Sequence, residues 1–404
     1  MRQSVRFLHC ADLHLDSPYK GLHDLPDHIL HDIKNSTFQA FDRLVDLAIS
    51  EHVDFVLIVG DVFDQQSVSL KSLVHLKEGL KQLNDHEINV YISFGNHDYQ
   101  MLEKVDLSLP ERTYIFPSEE VTAFTYQKGG EAVAHIYGFS YQRRAVTENK
   151  VREYLPKQES GFHIATLHGS LQSNEEHDHY APFLLQELKE KSFDYWALGH
   201  IHQRSILSKH PLVVYPGNIQ GRHMKETGDK GCYLVELSDA SQDLSFQSLQ
   251  SIRFREDTLE FLGCTSGEEL LERLKQYKAD VRSYGEKVIV RVTVEINFEM
   301  KHVKELVTIL NEDEATEQIW VWFQGVKFEY RVNYDREQLK KSNRFASEVI
   351  QMIDEADIEG YLQDLLNNRT FRQHMRVFDQ QSIEEIKEEA EQLVMQKLLK
   401  GGRD

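Results

Sequence analysis

Residues 88–100 read INVYISFGNHDYQ: a β-branched and aromatic run stops at a glycine and is followed by an amide, an imidazole and a carboxylate. A tight turn accounts for Gly95 and Asn96, since both tolerate the backbone angles a turn needs, but not for His97 and Asp98. Polar side chains at a strand end gain a purpose when other strands end in the same way.

Four more do. ADLH (Asp12, His14) follows VRFLHC, GDVFD (Asp61, Asp64) follows VDFVLIV, LHG (His168) follows FHIAT, and GHIH (His200, His202) follows FDYWAL. Ligands in α/β proteins gather beyond the carboxyl ends of strands, so the five clusters can converge. Asp12/His14 and His200/His202 are spaced i, i+2, which in extended backbone puts both side chains on one face. Gly60, Gly95, Gly169 and Gly199 let the chain turn sharply beside them. Carboxylates, imidazoles and one amide, with no thiolate, suit Mn²⁺, Fe²⁺ or Zn²⁺ better than Ca²⁺ or Mg²⁺, and seven such residues are about right for two ions.

The ordered set D-x-H, G-D, G-N-H-D, H and G-H-x-H, complete within the first 202 residues, resembles the calcineurin-like metallophosphoesterase superfamily. Carried over residue by residue, the resemblance implies Asp12, His14, Asp61 and His202 around one ion. It implies Asp61, Asn96, His168 and His200 around the other, with Asp61 bridging. His97 would face the scissile phosphate as acid or charge stabiliser, oriented by Asp98. Two divalent ions less two carboxylates leave a site of about +2, able to attract a phosphodiester and to stabilise a hydroxide shared between the ions.

FLHCADLHLDSPYKGL (7–22), DYWALGHIHQR (194–204) and VYPGNIQGRHMKETGDKGCYLVEL (214–237) resemble the SbcD-type DNA repair exonucleases, particularly their YhaO-like subfamily. Pro216, Gly217, Asn218, Gly221, Arg222, Glu226 and Gly231 are the discriminating part, and Arg222 and His223 are assigned to substrate binding. The resemblance ends at about residue 240. It implies DNA as substrate, Mn²⁺ as the metal, a coiled-coil ATPase of the structural-maintenance-of-chromosomes type as partner, and a homodimer. A phosphodiesterase or phosphatase acting on small-molecule or protein phosphoesters is the alternative. A scaffold with a vestigial site is a third reading, against which the complete ligand set argues.

At 404 residues, with 40% hydrophobic and 28% charged residues, the chain exceeds one ordinary core. The fold expected is α/β: a metallophosphoesterase mixed β-sandwich flanked by helices (1–255), a small α+β capping domain (256–335) and a helical C-terminal region (336–404). Strand, helix, strand, helix, strand to INVYIS is the α/β signature, and the fewer helices thereafter favour two sheets over one doubly wound sheet. KVIVRVTVEINF alternates as a half-buried strand should. No apolar run reaches the roughly 18 residues that span a bilayer. The N-terminus does not read as a signal peptide, and Cys10, Cys232 and Cys264 form no disulfide framework, so a cytoplasmic protein with no membrane partner is expected.

The net charge of −20 argues against nucleic acid as partner. Arg143, Arg144, Lys150, Arg204, Arg222 and Lys225 are the cations available to line a groove. Other polar features have plainer readings. Asp64 is read as the cap of the helix after it, with a role near the substrate as the alternative. NEEHDHY (174–180) is read as a solvated loop, and His23, His28 and His31 as surface residues of a polar loop. The stripe Ile383, Ile386, Ala390, Leu393 and Val394 either packs on its own domain or docks a partner helix.

Overall fold

The computed structural model describes residues 2–19, 25–64, 68–101, 108–157, 159–172, 180–298, 300, 302–331, 334–367 and 380–400. Two six-stranded mixed sheets organise the first 250 residues. The first has the order β12-β11-β1-β2-β3-β4, in which β1 (Val5–Ala11), β2 (Phe55–Val59), β3 (Asn89–Ser93) and β4 (Thr113–Ile115) are parallel. β11 (Gly231–Leu237) and β12 (Gln242–Ser248) run antiparallel on the other side of β1. The second has the order β5-β6-β7-β8-β10-β9. There β6 (Glu131–Gly138), β7 (Phe162–His168), β8 (Tyr195–Gly199) and β10 (Leu212–Tyr215) are parallel, with β5 (Thr122–Lys128) and β9 (Ser205–Lys209) antiparallel at the edges.

Period-two alternation builds three layers from these strands. Phe55, Leu57 and Val59 of β2 join Phe7, Ile136, Phe162, Ile164, Tyr195 and Val214 in the core between the sheets. Val56 and Ile58 face the other way, into a core closed by α1 (Asp27–Ser50) and α2 (Leu70–Asp85). Every residue of β2 is therefore buried, as its uninterrupted apolar run requires. Trp196 and Leu198 face a third core with Tyr141 and Tyr154, beside the short α3 (Leu185–Glu190). His9, fully buried between the sheets, joins them: its ring nitrogens meet Tyr195 Oη at 2.9 Å and the Leu198 carbonyl at 3.1 Å.

The helical spacing of Phe38, Phe41, Leu44, Val45, Ala48 and Ile49 marks a helix within STFQAFDRLVDLAISEHV (36–53). The first helix starts nine residues before that stretch, so His28 and His31 lie on its opening turns rather than in a loop. His23 lies outside the described residues. Ile29 and Ile33, four apart and fully buried, are the signal for that extension. They pack with Met224, Ile252, Phe254, Ile289 and Trp320.

The chain divides into two compact units, the first comprising Met1–Glu256, Asp280–Val290 and Asp313–Trp322. Within it Trp320 donates to Asp32 Oδ2 at 2.8 Å, and Lys287 Nζ stands 2.7 Å from the same oxygen. Trp320→Ala should lower the stability of this unit by about 3–5 kcal/mol, read from the midpoint of denaturant unfolding. A loss below 1 kcal/mol would mean the indole is not part of the core.

The second unit comprises Asp257–Ala279, Arg291–Glu312 and Phe323–Asp404. Part of a three-stranded sheet, β13-β14-β15 (Ile252–Glu260, Lys287–Ile296, Val321–Tyr330), falls within these residues, with most of α4 (Gly267–Arg282) and all of α5 (Val303–Glu312). Helices α6 (Arg336–Ser342), α7 (Arg344–Asp354), α8 (Ile358–Asn367) and α9 (Gln380–Lys400) follow. The face by which α9 packs is not centred on the expected stripe. Leu393 is 60% exposed, whereas Met395 is fully buried against Ala346 and Ile350. Among the described residues no helix is long and apolar enough to cross a membrane.

Candidate metal centre

The five polar clusters stand at the carboxyl ends of β1, β2 and β3 in one sheet and of β7 and β8 in the other. The backbone there is not extended. Asp12, His14, Asp61 and His200 all have positive φ, at 52°, 44°, 44° and 94°. The i, i+2 geometry expected for Asp12/His14 and His200/His202 is thus replaced by left-handed turns, a conformation that costs free energy for residues with a Cβ. Hydrogen bonds hold the turns in place: His14 N–H donates to the Asp61 carbonyl at 3.0 Å, and Asp12 N–H to that of Gly60 at 3.3 Å. Such strain, at four residues of one site, is where a fold invests stability to aim side chains.

The aimed side chains make two sets. In one, His14 Nε2 and His202 Nε2 are 3.1 Å apart, with Asp12 Oδ1 3.9 Å from the latter. In the other, His168 Nε2 lies 3.0 Å from Asn96 Oδ1 and 3.4 Å from Asp61 Oδ2. Asp61 Oδ2 is also 4.0 Å from His14 Nε2, and Asp12 Oδ1 3.9 Å from His168 Nδ1, so both carboxylates stand between the sets. His200 donates its backbone N–H to Asp12 Oδ2 at 3.0 Å, and its ring lies edge-on to His168.

These residues fit divalent cations. Asp12 and Asp61 are 1% exposed, and burial raises the pKa of Asp12. Burial also pushes His14 down to about 3, leaving a neutral imidazole able to ligate. His14 Nδ1 reaches Asp64 Oδ1 at 3.1 Å and His202 Nδ1 reaches Glu226 Oε1 at 2.6 Å. A carboxylate can only accept, so His202 Nδ1, hydrogen-bonded to Glu226, carries the proton; with the His14 proton likewise on the Nδ1 that faces Asp64, the two Nε2 lone pairs face each other. Two lone pairs 3.1 Å apart repel unless a cation satisfies both. Nitrogen and oxygen donors without thiolate are the chemistry expected of such an ion.

Two residues exchange roles relative to the sequence reading. Asp98 does not orient His97. Its buried carboxylate accepts the backbone N–H groups of Val62, Phe63 and Gly95 at 2.7, 3.2 and 2.7 Å, pinning the β2 loop to the β3 loop. Burial and the nearby Asp61 charge push its pKa up to about 8 against those donors. His97 instead leans on Asp64, its Nδ1 3.0 Å from that carbonyl, while its own N–H donates to Asp61 Oδ1. Nor does Asp64 cap the next helix; Ser69 does, accepting from Ser72 N–H.

The glycines differ from expectation too. Only Gly60 of the four has a positive φ, 76°; the others are needed for space. A Cβ on Gly95 would lie 2.2 Å from Asp61 Oδ1 and one on Gly199 2.1 Å from the Val59 carbonyl. A Cβ on Gly60 would lie 2.0 Å from His168 Nδ1. Gly60→Ala is therefore expected to displace His168, weakening metal affinity at least tenfold and destabilising the fold by about 1–3 kcal/mol from backbone strain. Calorimetric titration with Mn²⁺ measures the first and thermal unfolding the second; unchanged affinity would place His168 outside the ligand set.

Three of the six expected groove cations are engaged by acids. Arg143 pairs with Glu119 and Glu148, Lys150 with Glu153, and Arg222 with Asp64 and Glu226, while Arg204 lies over the Phe246 ring. The Arg222 side chain is 12% exposed and makes internal ion pairs, while His223, assigned to substrate with it, is half exposed and 3.5 Å from Glu226. Residues 173–179, which hold most of NEEHDHY, lie outside the described residues.

Two facing sheets that deliver carboxylates, imidazoles and an amide to one point define a metal-dependent phosphoesterase. The chain belongs to the calcineurin-like phosphoesterase family, whose model matches residues 5–204. It is 36% identical over 408 residues to the metallophosphoesterase YhaO of Bacillus subtilis, with 99% of each chain covered. It is also 29% identical over 274 residues to the DNA double-strand break repair protein Mre11 of Saccharolobus solfataricus, covering 62% of this chain and 64% of that one. With Mre11 of Sulfolobus acidocaldarius the identity is 26% over 251 residues, 58% and 61% of the two chains.

Proposed function

We propose that this phosphoesterase hydrolyses phosphodiester bonds of DNA, as an exonuclease or endonuclease, with two Mn²⁺ ions. The observation that carries the reading is the pair of converging ligand sets with His97, 43% exposed, standing beside them. The likeness to two Mre11 proteins turns it toward DNA. Asp12, His14, Asp61 and His202 would hold one ion and Asp61, Asn96, His168 and His200 the other. When bound, such ions supply positive charge for phosphate oxygens and raise the acidity of water.

The chain's own residues do the rest. The Asp64 carbonyl accepts the Nδ1 proton of His97, so the ring in its doubly protonated form presents Nε2–H to the leaving oxygen and is left neutral once that proton is given. Asp98 and the backbone it gathers hold that ring's loop beside Asp61. A coiled-coil ATPase docked through the C-terminal helices and a second copy of the chain complete the proposal.

The test is incubation with Mn²⁺ and end-labelled linear duplex DNA, alongside bis-p-nitrophenyl phosphate and a chelator control. Chelator-sensitive shortening of the DNA is expected. Turnover of the small ester with DNA untouched would favour a phosphodiesterase or phosphatase of small-molecule or protein esters. The net charge of −20 and the engaged arginines are what speak for that second reading.

A further inference from the structure

The Arg222 side chain, 12% exposed, touches no ligand carboxylate; its Nη2 lies 3.3 Å from His202 Nδ1, and the guanidinium stands between two acids that each face a metal-facing histidine. One arm donates to Asp64 Oδ1 at 2.6 Å and to Ser17 Oγ at 3.3 Å; the other reaches Glu226 Oε1 at 3.3 Å. Asp64 Oδ1 is the atom facing His14 Nδ1, and Glu226 Oε1 the atom facing His202 Nδ1. Glu226 is fixed further by the Arg222 backbone N–H at 2.7 Å and Asn218 Nδ2 at 3.0 Å. The Asp64 main chain, at the same place, accepts from His97.

We infer that Asp64, Arg222 and Glu226 form one bridge that fixes His14 and His202 in the tautomer with Nε2 free, and so sets the affinity of the ion those two share. Arg222 is then a positioning residue. The inference rests on the ligand sets proposed above and not on DNA being the substrate.

The physical argument is charge and shape. Without a cation between them, Asp64 and Glu226 are two partly buried carboxylates on one wall of the site, and each gains by turning out toward solvent or toward another donor. Either move frees a histidine ring to rotate or change tautomer, and a misaimed Nε2 is lost to the metal. Partners that orient ligating histidines typically account for 10–100-fold in metal affinity. A planar fork satisfies two carboxylates at once in a way a single ammonium does not, so lysine should restore charge but only part of the alignment.

The metal-free chain, its Arg222→Gln variant and its Arg222→Lys variant would be titrated calorimetrically with Mn²⁺. Each would then be assayed on bis-p-nitrophenyl phosphate across a range of Mn²⁺. The expected result is that Arg222→Gln weakens one of two ions about 10–100-fold and leaves the other unchanged. Excess Mn²⁺ should recover kcat, KM should stay within about twofold, and Arg222→Lys should fall between. Unchanged affinity for both ions, with KM raised about tenfold or more at saturating Mn²⁺, would overturn the inference and return Arg222 to substrate binding. If Arg222→Gln shows no cooperative melting, Glu226→Gln serves instead, with the same 10–100-fold loss expected and unchanged affinity overturning the bridge. A wild-type chain that binds fewer than two ions overturns the ligand sets themselves, and the bridge with them.

Discussion

Asp61→Ala is expected to yield a folded chain that Mn²⁺ no longer stabilises. One Asp61 oxygen accepts from His97 N–H at 3.0 Å, and the other stands 3.4 Å from His168 Nε2 and 4.0 Å from His14 Nε2. Removing it takes an anionic donor from both ligand sets at once, which the remaining neutral imidazoles, the amide and the single carboxylate of Asp12 cannot replace. An ion present at a hundred times its dissociation constant stabilises a protein by about 2.7 kcal/mol, so two ions give the wild type a large rise in melting temperature. The variant should show little of it in a thermal-shift titration, and hydrolysis of bis-p-nitrophenyl phosphate should fall to background. A rise equal to the wild type's would remove Asp61 from its place between the ions.

His97→Ala should separate binding from chemistry. The ring is 43% exposed and, among the described residues, meets the Asp64 carbonyl through Nδ1 and lies edge-on to His14, so its loss should cost the fold no more than about 1 kcal/mol. Both ions should still bind, because His97 contributes its backbone N–H rather than its ring to Asp61. Turnover, by contrast, should fall about 10²–10⁴-fold at saturating Mn²⁺, the usual worth of a positioned proton donor. Equal Mn²⁺ stoichiometry with lost turnover is the signature. Loss of metal together with activity would mean that the roles within residues 95–98 have been misassigned.

Apart from the four-residue β10, the interior strands of the two large sheets were legible because burial on both faces leaves continuous apolar runs, as in FVLIV of β2. The edge strands of the two large sheets, β4, β5, β9 and β12, were not. They expose one side to water and carry sequences such as QDLSFQS, whose register comes from pairing with a neighbour rather than from its own pattern. The start of α1 was missed for a related reason: Ile29 and Ile33 are isolated among polar residues and gain meaning only from the distant Ile289 and Trp320 they pack against.

By itself the sequence determined which residue types stand at the strand ends and in what order. That sufficed for the family, the two-sheet architecture and the candidate ligands, because a strand end and a side-chain chemistry are both local properties. Only the tertiary structure decided which group supports which. Asp64 and Arg222 are 158 positions apart, His202 and Glu226 24, and Asp98 bonds to backbone rather than to the histidine next to it. It also replaced extended geometry with left-handed turns at four ligands and turned glycine from a hinge into a vacant space. A hydrogen bond at 2.6 Å depends on how two loops are carried into register by the sheets beneath them, and nothing in the local sequence of either loop encodes that separation.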